Sequence, residues 1–457
     1  MSHIDLILEA QREYFNQGET LDVDFRIKQL KKLKSTIELY QNDIELALYE
    51  DLNKSSFEAY MCEIGLVLDG ISYMLKNVRQ FSKDKTVKTP LAQFASRSYE
   101  KKVPYGNVLI ISPWNYPFLL TLEPLVEAIS AGNTAIIKPS AYSPKTSEII
   151  KKIIDTTFEE KYIACVTGGR KENQELLEKK FDFIFFTGSQ NVGKVVLRHA
   201  AEHLTPAVLE LGGKSPCIVD ESADISLAAK RIVFGKFINC GQTCIAPDYI
   251  LCHETIKDEL TQELIKQMNL QYTNNPLENK NYGKIINEKH FERLIHLIDQ
   301  DKVVHGGKWN IDTLKIEPTL MTDVCFEDKV MQEEIFGPIL PMMTYKDLND
   351  VIKQLQSLDK PLALYYFSTN KMNIEKVTSQ IRYGGGCIND CIIHLATSNL
   401  GFGGVGESGM GAYYGKIGID TFSHKKSIVD KKNWIDLPLR YQPYQEKFRK
   451  IVEMFLK

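Results

Sequence analysis

The first part of the chain shows the apolar spacing that is typical of amphipathic helices. Between residues 22 and 53, large apolar side chains recur at steps of three and four, with lysine and glutamate between them. Because this repeat puts the apolar side chains on one helix face, we predict a core-facing helix over 22–53, and further helices are predicted over 4–16 and 56–82. Residues 88–105 carry two prolines and several basic residues, which indicates an extended segment or a hairpin.

From residue 107 the pattern changes to short apolar runs that alternate with helical stretches. The helical stretches include 121–131 and 143–158, and the runs predict buried strands at 108–111, 135–137, 162–166, 183–186 and 208–211. Strands that alternate with helices indicate a parallel, doubly wound sheet. Small or polar residues follow each strand, and such sheets bind ligands at the carboxyl ends of their strands. We therefore expect the five loops to line one edge of the sheet.

A second α/β segment begins near residue 215. Its predicted elements are strands at 216–219 and 249–252 and helices at 224–238, 254–271 and 288–300. The chain ends in a basic amphipathic stretch, 444–457, which is predicted to be a helix that packs on protein or lies on a membrane surface. The fold class is therefore α/β, with a doubly wound, Rossmann-like domain, a second α/β domain and a small bridging element.

Composition narrows the class of protein. The chain has 457 residues, of which 43% are hydrophobic and 25% charged, with a formal net charge of −3. This length predicts two or three domains, and the charge balance gives no sign of nucleic-acid binding. No apolar run approaches the ~18 residues of a membrane helix, and the charged N-terminus does not resemble a signal peptide. The nine cysteines, odd in number and dispersed, disfavour a disulfide framework, favour the cytoplasm and lack the spacing of a zinc site, so no metal is expected.

Cys244 is the first candidate for chemistry. It follows Asn239, Gly241, Gln242 and Thr243, a polar turn of the kind that a reactive thiolate needs. Most cysteines are buried and inert, so the context alone leaves a nucleophile and a packing residue equally open.

Glu210 and Asn115 are candidate partners of that sulfur. Glu210 ends an apolar strand before two glycines, where partial desolvation would raise its pKa and suit it to act as a general base. Asn115 lies between Pro113 and Pro117 in SPWNYP, and its amide could donate to an oxyanion. The alternatives are a strand-end glutamate in solvent and an ordinary turn asparagine.

Other residues suit a nucleotide. Lys138 ends a buried strand, from which it can reach a ribose or a phosphate, and residues 187–193 join a strand to a helix whose N-terminus suits a pyrophosphate. Glu334 and Phe336, in EEIFGP, could hold a ribose and bound a planar ring. Each of these signals is weak alone, because surface turns and core aromatic residues give the same patterns.

Taken together, the motifs resemble the aldehyde dehydrogenase superfamily, and its class 3 branch in particular. The resemblance covers about residues 20–445, and the matching motifs, in order, are SPWNYP, AGNTAIIKPS, FFTGSQNVGK, LELGGKSP, GQTCIAPD, MQEEIFGPILP and FGGVGESGMGAYYGKIGIDTFSHKKS. The occurrence of all these motifs in this order is far more specific than any single motif. The resemblance implies an NAD(P)-binding domain over 1–80 and 103–209, a catalytic domain over 210–409, and bridging or oligomerisation segments over 81–102 and 410–457.

The resemblance also implies a reaction, the oxidation of an aldehyde to a carboxylic acid with NAD or NADP. Cys244 would attack the aldehyde, and the Asn115 amide and the Cys244 N–H would hold the oxyanion. After hydride transfer, Glu210 would activate the water that hydrolyses the thioester.

The implied cofactor residues are spread over five motifs. Lys138 would bind the adenosine ribose, Glu334 the nicotinamide ribose, and Phe336 would lie beside the ring. The remaining implied contacts are Gly188, Ser189 and Gly193 at the diphosphate, with Trp114 and Leu211. One departure matters: the family usually has glutamate after Lys-Pro-Ser, where this chain has Ala141. Without that carboxylate a 2′-phosphate is not repelled, so we expect NADP to be accepted alongside NAD.

The resemblance also implies an oligomeric state and a substrate class, and two alternative functions stay open. Class 3 enzymes are commonly dimers, so a cytoplasmic homodimer that acts on aliphatic or aromatic aldehydes is expected. The alternatives are a relative that transfers the acyl group to coenzyme A or reduces an acyl phosphate, and a non-enzymatic protein of the same fold. Glu210 argues against acyl transfer, because a hydrolytic base is unhelpful there, and the joint presence of the site residues argues against a purely structural protein.

Overall fold

The computed structural model describes residues 2–456. Its helices are α1 His3–Asn16, α2 Val23–Leu39, α3 Gln41–Leu52, α4 Ser56–Ala59, α5 Gly65–Phe81, α6 Leu119–Ala131, α7 Pro144–Thr157, α8 Arg170–Leu177, α9 Gln190–Glu202, α10 Ile225–Phe237, α11 Lys257–Tyr272, α12 Glu288–Ile295, α13 Leu348–Ser357, α14 Lys371–Gln380, α15 Gly415–Thr421 and α16 Arg449–Phe455. Its strands are β1 Lys85–Val87, β2 Ser96–Pro104, β3 Asn107–Ile111, β4 Thr134–Lys138, β5 Ile163–Cys165, β6 Phe183–Thr187, β7 Ala207–Glu210, β8 Pro216–Val219, β9 Tyr249–His253, β10 Val303–His305, β11 Trp309–Asn310, β12 Lys315–Ile316, β13 Thr319–Met321, β14 Ile339–Tyr345, β15 Ala363–Phe367, β16 Gly385–Ile388, β17 Gly409–Met410 and β18 Ser423–Lys431.

The predicted doubly wound sheet is present. It has six strands in the order β17-β7-β6-β3-β4-β5, all parallel except β17, which runs antiparallel to β7. Val108 and Ile110 of β3 face one hydrophobic cluster, and Leu109 and Ile111 face another on the opposite side. Because both faces are covered, its strands read as continuous apolar runs, as in other parallel sheets.

A second sheet of seven strands carries the other half of the chain. Its order is β10-β13-β14-β9-β8-β15-β16, and only β10 runs antiparallel to its neighbour. The α/β class is confirmed by the two mainly parallel sheets. The domain boundaries stay a prediction, and residues 409–410 pair with the six-stranded sheet rather than with the seven-stranded one.

A third sheet joins distant parts of the chain. β2 pairs antiparallel with β1 on one side and with β18 over nine residue pairs on the other. The extended segment that was predicted near 88–105 is thus one strand of a three-stranded sheet.

Three predicted helices differ from the structure. The helix predicted over 22–53 is broken at Tyr40, whose φ and ψ of −98° and 14° separate α2 from α3, although the apolar stripe continues across the break. The helix predicted over 288–300 ends at Ile295. The terminal helix is only Arg449–Phe455, and its apolar side chains are exposed rather than packed on the described part of the chain; Lys457 lies outside the described residues.

Candidate active site

A cleft of about 930 Å³ lies between the loops of the two large sheets. From the six-stranded sheet it is lined by the loops after β3, β6 and β7, and from the other half by the Cys244 loop and the segment before β14. The predicted site residues that line it are Trp114, Asn115, Gly188, Ser189, Glu210, Leu211, Cys244, Glu334 and Phe336. Lys138 and Gly193 do not line it. Three of the five predicted loops therefore meet at this cleft, and the loops after β4 and β5 do not.

The Cys244 loop is held in an unusual backbone conformation. Asn239 and Cys240 have φ of 52° and 54°, and Gly241 has φ of 72°, all in the left-handed region. A side chain at Gly241 would also collide with the carbonyl oxygen of Gly337. The buried Gln242 fixes the turn, because its amide nitrogen donates to Asn239 O and Lys284 O and its oxygen accepts from Ile286 N at 3.0 Å. The predicted turn is therefore rigid, and glycine is required in it.

The Cys244 side chain is half-buried and lines the cleft. Burial, and then the carboxyl groups of Glu334 and Glu210, raise the pKa of the thiol to about 12. The backbone N–H groups of Cys244 and Ile245 face the sulfur and oppose this shift. A thiolate therefore requires a base to remove the proton, and the two N–H groups stabilise it once it has formed. Cys240 forms no disulfide. Its sulfur packs against Gly283, where an added Cβ would lie 3.3 Å from it.

Asn115 lies directly against the Cys244 loop. Its side-chain amide donates to Gln242 O at 3.0 Å, and its backbone carbonyl accepts from Asn239 Nδ2 at 2.8 Å. Tyr116 adds a hydroxyl contact to Thr243 at 2.7 Å. These bonds fix the asparagine beside the cysteine across the boundary between the two sheets.

A buried ion pair that the sequence analysis missed supports the Asn115 loop. Lys54 Nζ donates to Glu63 Oε1 at 2.5 Å and lies 3.5 Å from Asn115 O. Glu63 Oε2 accepts from Phe118 N at 2.9 Å and Leu119 N at 3.2 Å, the first N–H groups of α6. Both charged side chains are almost completely buried. A lysine and a glutamate nine residues apart are too common a pattern to reveal this pairing.

Glu210 is buried at the end of β7 and lines the cleft. Neither of its carboxyl oxygens has a hydrogen-bond partner within residues 2–456. Burial alone raises its pKa well above the usual value for glutamate. The alternative of a solvent-facing strand-end glutamate is therefore wrong, and the group has the environment of a general base.

The loop that carries Glu334 is held from three sides. Lys214 Nζ donates to Glu333 O at 2.8 Å and pairs with Asp248 at 2.6 Å, and Asp248 accepts from Ile335 N. Arg293 donates to Ile335 O at 2.6 Å. Neither Lys214 nor Arg293 was predicted as a site residue, although Lys214 belongs to the LELGGKSP motif.

Glu334 and Phe336 face the cleft from this loop. The Glu334 carboxyl lies so close to Gly212 that any side chain there would overlap it, and burial raises its pKa to about 8. Phe336, at φ of 50°, lies edge-on to Trp114 with 5.4 Å between the ring centroids, and the Trp114 ring also contacts His290 at 5.2 Å. His290, which also was not predicted, thus extends an aromatic wall of the cleft.

The phosphate-binding loop has the predicted helix N-terminus. Ser189 is the N-cap of α9 and accepts from Val192 N, and Gly188 N donates to Glu210 O at 3.0 Å. Gly193 is buried one turn into α9, where a Cβ would lie 2.8 Å from Leu211 Cδ2. Gly193 therefore packs against Leu211 and does not line the cleft.

Lys138 is buried at the end of β4. Its ammonium donates to Gly168 O at 2.7 Å and to Pro139 O at 2.9 Å, and burial lowers its pKa. It ties together the loops after β4 and β5, next to the exposed Ala141. The helix N-terminus, the aromatic wall, the Glu334 carboxyl and this lysine fit a dinucleotide, and the cleft is large enough to hold part of one.

Residues 1–428 match the aldehyde dehydrogenase family. The chain belongs to that family. This aldehyde dehydrogenase is 48% identical over 457 residues to the 4,4'-diaponeurosporen-aldehyde dehydrogenase of Staphylococcus aureus, with all of both chains covered. It is 43% identical over 429 residues to the dimeric NADP-preferring aldehyde dehydrogenase of Mus musculus, covering 94% of this chain and 95% of the mouse protein. The solved substrate-bound state of Staphylococcus aureus AldH superposes with a TM-score of 0.98 at 47% identity, covering 100% of each chain.

These findings confirm the predicted family and reaction. Family 3 enzymes are among the relatives, in agreement with the class 3 resemblance. The protein is an NAD(P)-dependent oxidoreductase that oxidises aldehydes to carboxylic acids. Within residues 2–456, no helix combines the length and apolarity needed to cross a membrane, and no three metal-ligating side chains cluster together.

Proposed function

We propose that Cys244 is the nucleophile, Glu210 the general base and Asn115 the oxyanion donor of this aldehyde dehydrogenase. The observation that supports this best is that the thiol and a buried carboxyl without a hydrogen-bond partner line one cleft, with the Asn115 amide fixed against the loop of the thiol. No other described cysteine lines that cleft.

The chain's own groups divide the reaction into two proton transfers. In the first, Glu210 removes the thiol proton, and the sulfur forms a bond to the aldehyde carbon while the carbonyl oxygen becomes an oxyanion. The N–H of Cys244 and the Asn115 amide stabilise this oxyanion. Nicotinamide, when bound, would accept the hydride whose departure from the adduct leaves a thioester on Cys244. In the second transfer, Glu210 takes a proton from water, whose hydroxyl attacks the acyl carbon and releases the acid and the sulfur.

The proposed cofactor contacts follow the geometry of the cleft. The N-terminus of α9, with Gly188 and Ser189, holds the diphosphate, and Glu334 holds a ribose hydroxyl beside Phe336 and Trp114. Lys138 binds the adenosine ribose after its ammonium turns from Gly168 O. Gly193 contributes indirectly, because its lack of a side chain lets α9 approach Leu211.

We propose that both NAD and NADP are accepted. Ala141 is exposed beside Lys138, so no carboxylate at this position repels a 2′-phosphate. A relative that is named as NADP-preferring supports the proposal.

The proposed substrates are apolar aliphatic or aromatic aldehydes. Leu120, Phe402 and Tyr413 give the cleft apolar walls beside Cys244. A relative named 4,4'-diaponeurosporen-aldehyde dehydrogenase supports an aldehyde as the substrate.

We also propose a homodimer located in the cytoplasm. A relative is named as dimeric, and the nine cysteines are all free, as expected in a reducing compartment. The exposed aromatic pair Phe94 and Trp434, next to the three-stranded sheet, is the proposed contact region.

The test is formation of reduced nicotinamide by the purified protein. Short aliphatic, long aliphatic and aromatic aldehydes are offered with NAD or with NADP, and Cys244→Ala is compared with Cys240→Ala as a matched control. Loss of turnover in Cys244→Ala alone supports the assignment. Equal turnover in both variants, or turnover only when coenzyme A is added, would contradict it, and a large preference for NAD would contradict the role given to Ala141.

A further inference from the structure

Two carboxyl groups that the reaction does not use are buried in α6. Glu123 and Glu127 lie four residues apart in α6, a helix in which every residue is buried, so both point from the same face. Glu127 is completely inaccessible and Glu123 is 1% exposed. Buried carboxyl groups of this kind are rare without a counter-charge.

Neither group has the partners that a purely structural carboxylate would have. Within residues 2–456, both oxygens of Glu127 and Oε2 of Glu123 are buried without a hydrogen bond of normal geometry, and the backbone N–H groups of Tyr414 and Gly415 face the Glu127 carboxyl. Two glycines make room for them: a side chain at Gly418 would overlap the Glu127 carboxyl, and a Cβ at Gly70 would lie 2.6 Å from Glu123 Oε1. The fold therefore makes room for two buried acids that have no side-chain hydrogen-bond donor of normal geometry.

The acids form a series that starts at the active site and ends at the surface. Glu123 and Glu127 share one face of α6, the carboxyl of Glu123 packs on Gly70 next to the exposed Asp69 of α5, and the charges of Glu123 and Glu210 both raise the pKa of Glu127. Tyr413, which lines the cleft, and Tyr414, 4.6 Å away between ring centroids, are the other titratable groups that face Glu127. The backbone N–H groups of Tyr414 and Gly415 also face its carboxyl.

The proposed reaction creates a need for such a series. Glu210 accepts one proton from Cys244 and a second from water, so it must release the first before thioester hydrolysis. Glu210 is only 2% exposed. We propose that Glu127 and Glu123 carry protons between Glu210 and solvent at Asp69.

The transfer is balanced because each acid gains one proton as it gives one away. A proton from Glu210 arrives on one oxygen of Glu127, and the proton on its other oxygen passes to Glu123 and then to Asp69 and water. Burial raises the pKa of Glu123 to about 8, and burial together with the Glu123 charge raises the pKa of Glu127 well above its ordinary value, so the neutral form that can donate is favoured in both acids. The two residues act through Glu210 and need not touch the substrate.

This inference rests on the proposed function and is tested in Glu127→Gln, which keeps the shape and removes the exchangeable acid. Asp51→Asn is the matched control, because Asp51 is also buried, at 7% exposure, but its carboxyl accepts from Thr146 N at the start of α7. Stopped-flow formation of reduced nicotinamide is expected to show an unchanged first turnover and a steady-state rate that falls about tenfold, less than the ~10²–10⁴ contributed by a general base itself. Formate, a small acid that can enter the site, is expected to restore the steady-state rate in this variant only.

A second readout needs no cofactor. Hydrolysis of p-nitrophenyl acetate is expected to keep its initial nitrophenol burst in Glu127→Gln and to lose about tenfold in the steady phase. Glu123→Gln is expected to show the same unchanged burst and slower steady phase. It replaces Glu127→Gln in the test if that variant does not fold. A steady rate equal to that of Asp51→Asn, or a slow rate that formate does not restore, would overturn the relay while leaving the aldehyde oxidation intact. Absence of turnover in the wild type would instead overturn the proposed function.

Discussion

The buried pair of Lys54 and Glu63 gives a sharp test of how the active site is supported. In Lys54→Met the ammonium is lost, while Glu63 keeps only the two N–H donors at the start of α6. The variant also loses the ammonium that lies 4.3 Å from the centre of the Tyr116 ring. Removal of one partner of a buried ion pair destabilises by about 3–5 kcal/mol, a large share of a typical stability of ~5–15 kcal/mol.

The free energy of unfolding is measured by urea denaturation, with far-UV circular dichroism and thiol labelling of Cys244 as separate probes. Lys151→Met is the control, because Lys151 forms only an exposed pair with Asp155 and should change stability by less than about 0.5 kcal/mol. In the double variant Lys54→Met/Glu63→Gln, the uncompensated charge is gone, so part of the stability should return. A loss below 1 kcal/mol in Lys54→Met, or additive losses in the double variant, would refute the reasoning.

Three further predictions concern the cleft. Glu210→Gln is expected to slow both the first burst of reduced nicotinamide and acyl-enzyme hydrolysis ~10²–10⁴-fold, because Glu210 is the base in both steps; because the raised pKa of Glu210 leaves its base form scarce at low pH, wild-type hydrolysis should quicken as pH rises, and a similar rise in the variant would contradict this. Gly241→Ala is expected to abolish activity and lower the melting temperature, since φ is 72° and the methyl group meets Gly337 O; wild-type activity would show that the loop is not rigid. Lys138→Met is expected to raise the cofactor KM about tenfold with little change in kcat, and an unchanged KM would remove Lys138 from the cofactor site.

The sequence predicts the parallel strands well because their signal is local. The strand predicted at 183–186 is Phe183–Thr187, and the one at 108–111 is Asn107–Ile111. The break at Tyr40 escapes this reasoning, because one face of α2 and α3 stays apolar throughout and periodicity cannot register a change of direction. For the same reason, the spacing of apolar residues locates the C-terminal helix but not what its exposed face contacts.

The site residues also divide into those that a local sequence signal reveals and those that it does not. Cys244, Glu210 and Asn115 are found from short motifs, since each stands in a local context that packing alone does not explain. Lys54 and Glu63 are invisible because their pairing depends on the tertiary fold. A signal does exist for Glu123 and Glu127, since two acids four residues apart interrupt an otherwise apolar helix.

The pairing of β2 with β18 has a consequence for how the protein is made. One edge of β2 stays uncovered until Ser423–Lys431 has left the ribosome. At roughly 5–20 residues per second, the chain between Pro104 and Ser423 takes on the order of 15–60 seconds to synthesise. During that time an open strand edge invites pairing with other nascent chains, and charged residues discourage it. Arg97 and Lys101 on β2 are exposed charges of the kind that disfavours pairing between strand edges, so their value is expected during synthesis rather than in the finished fold.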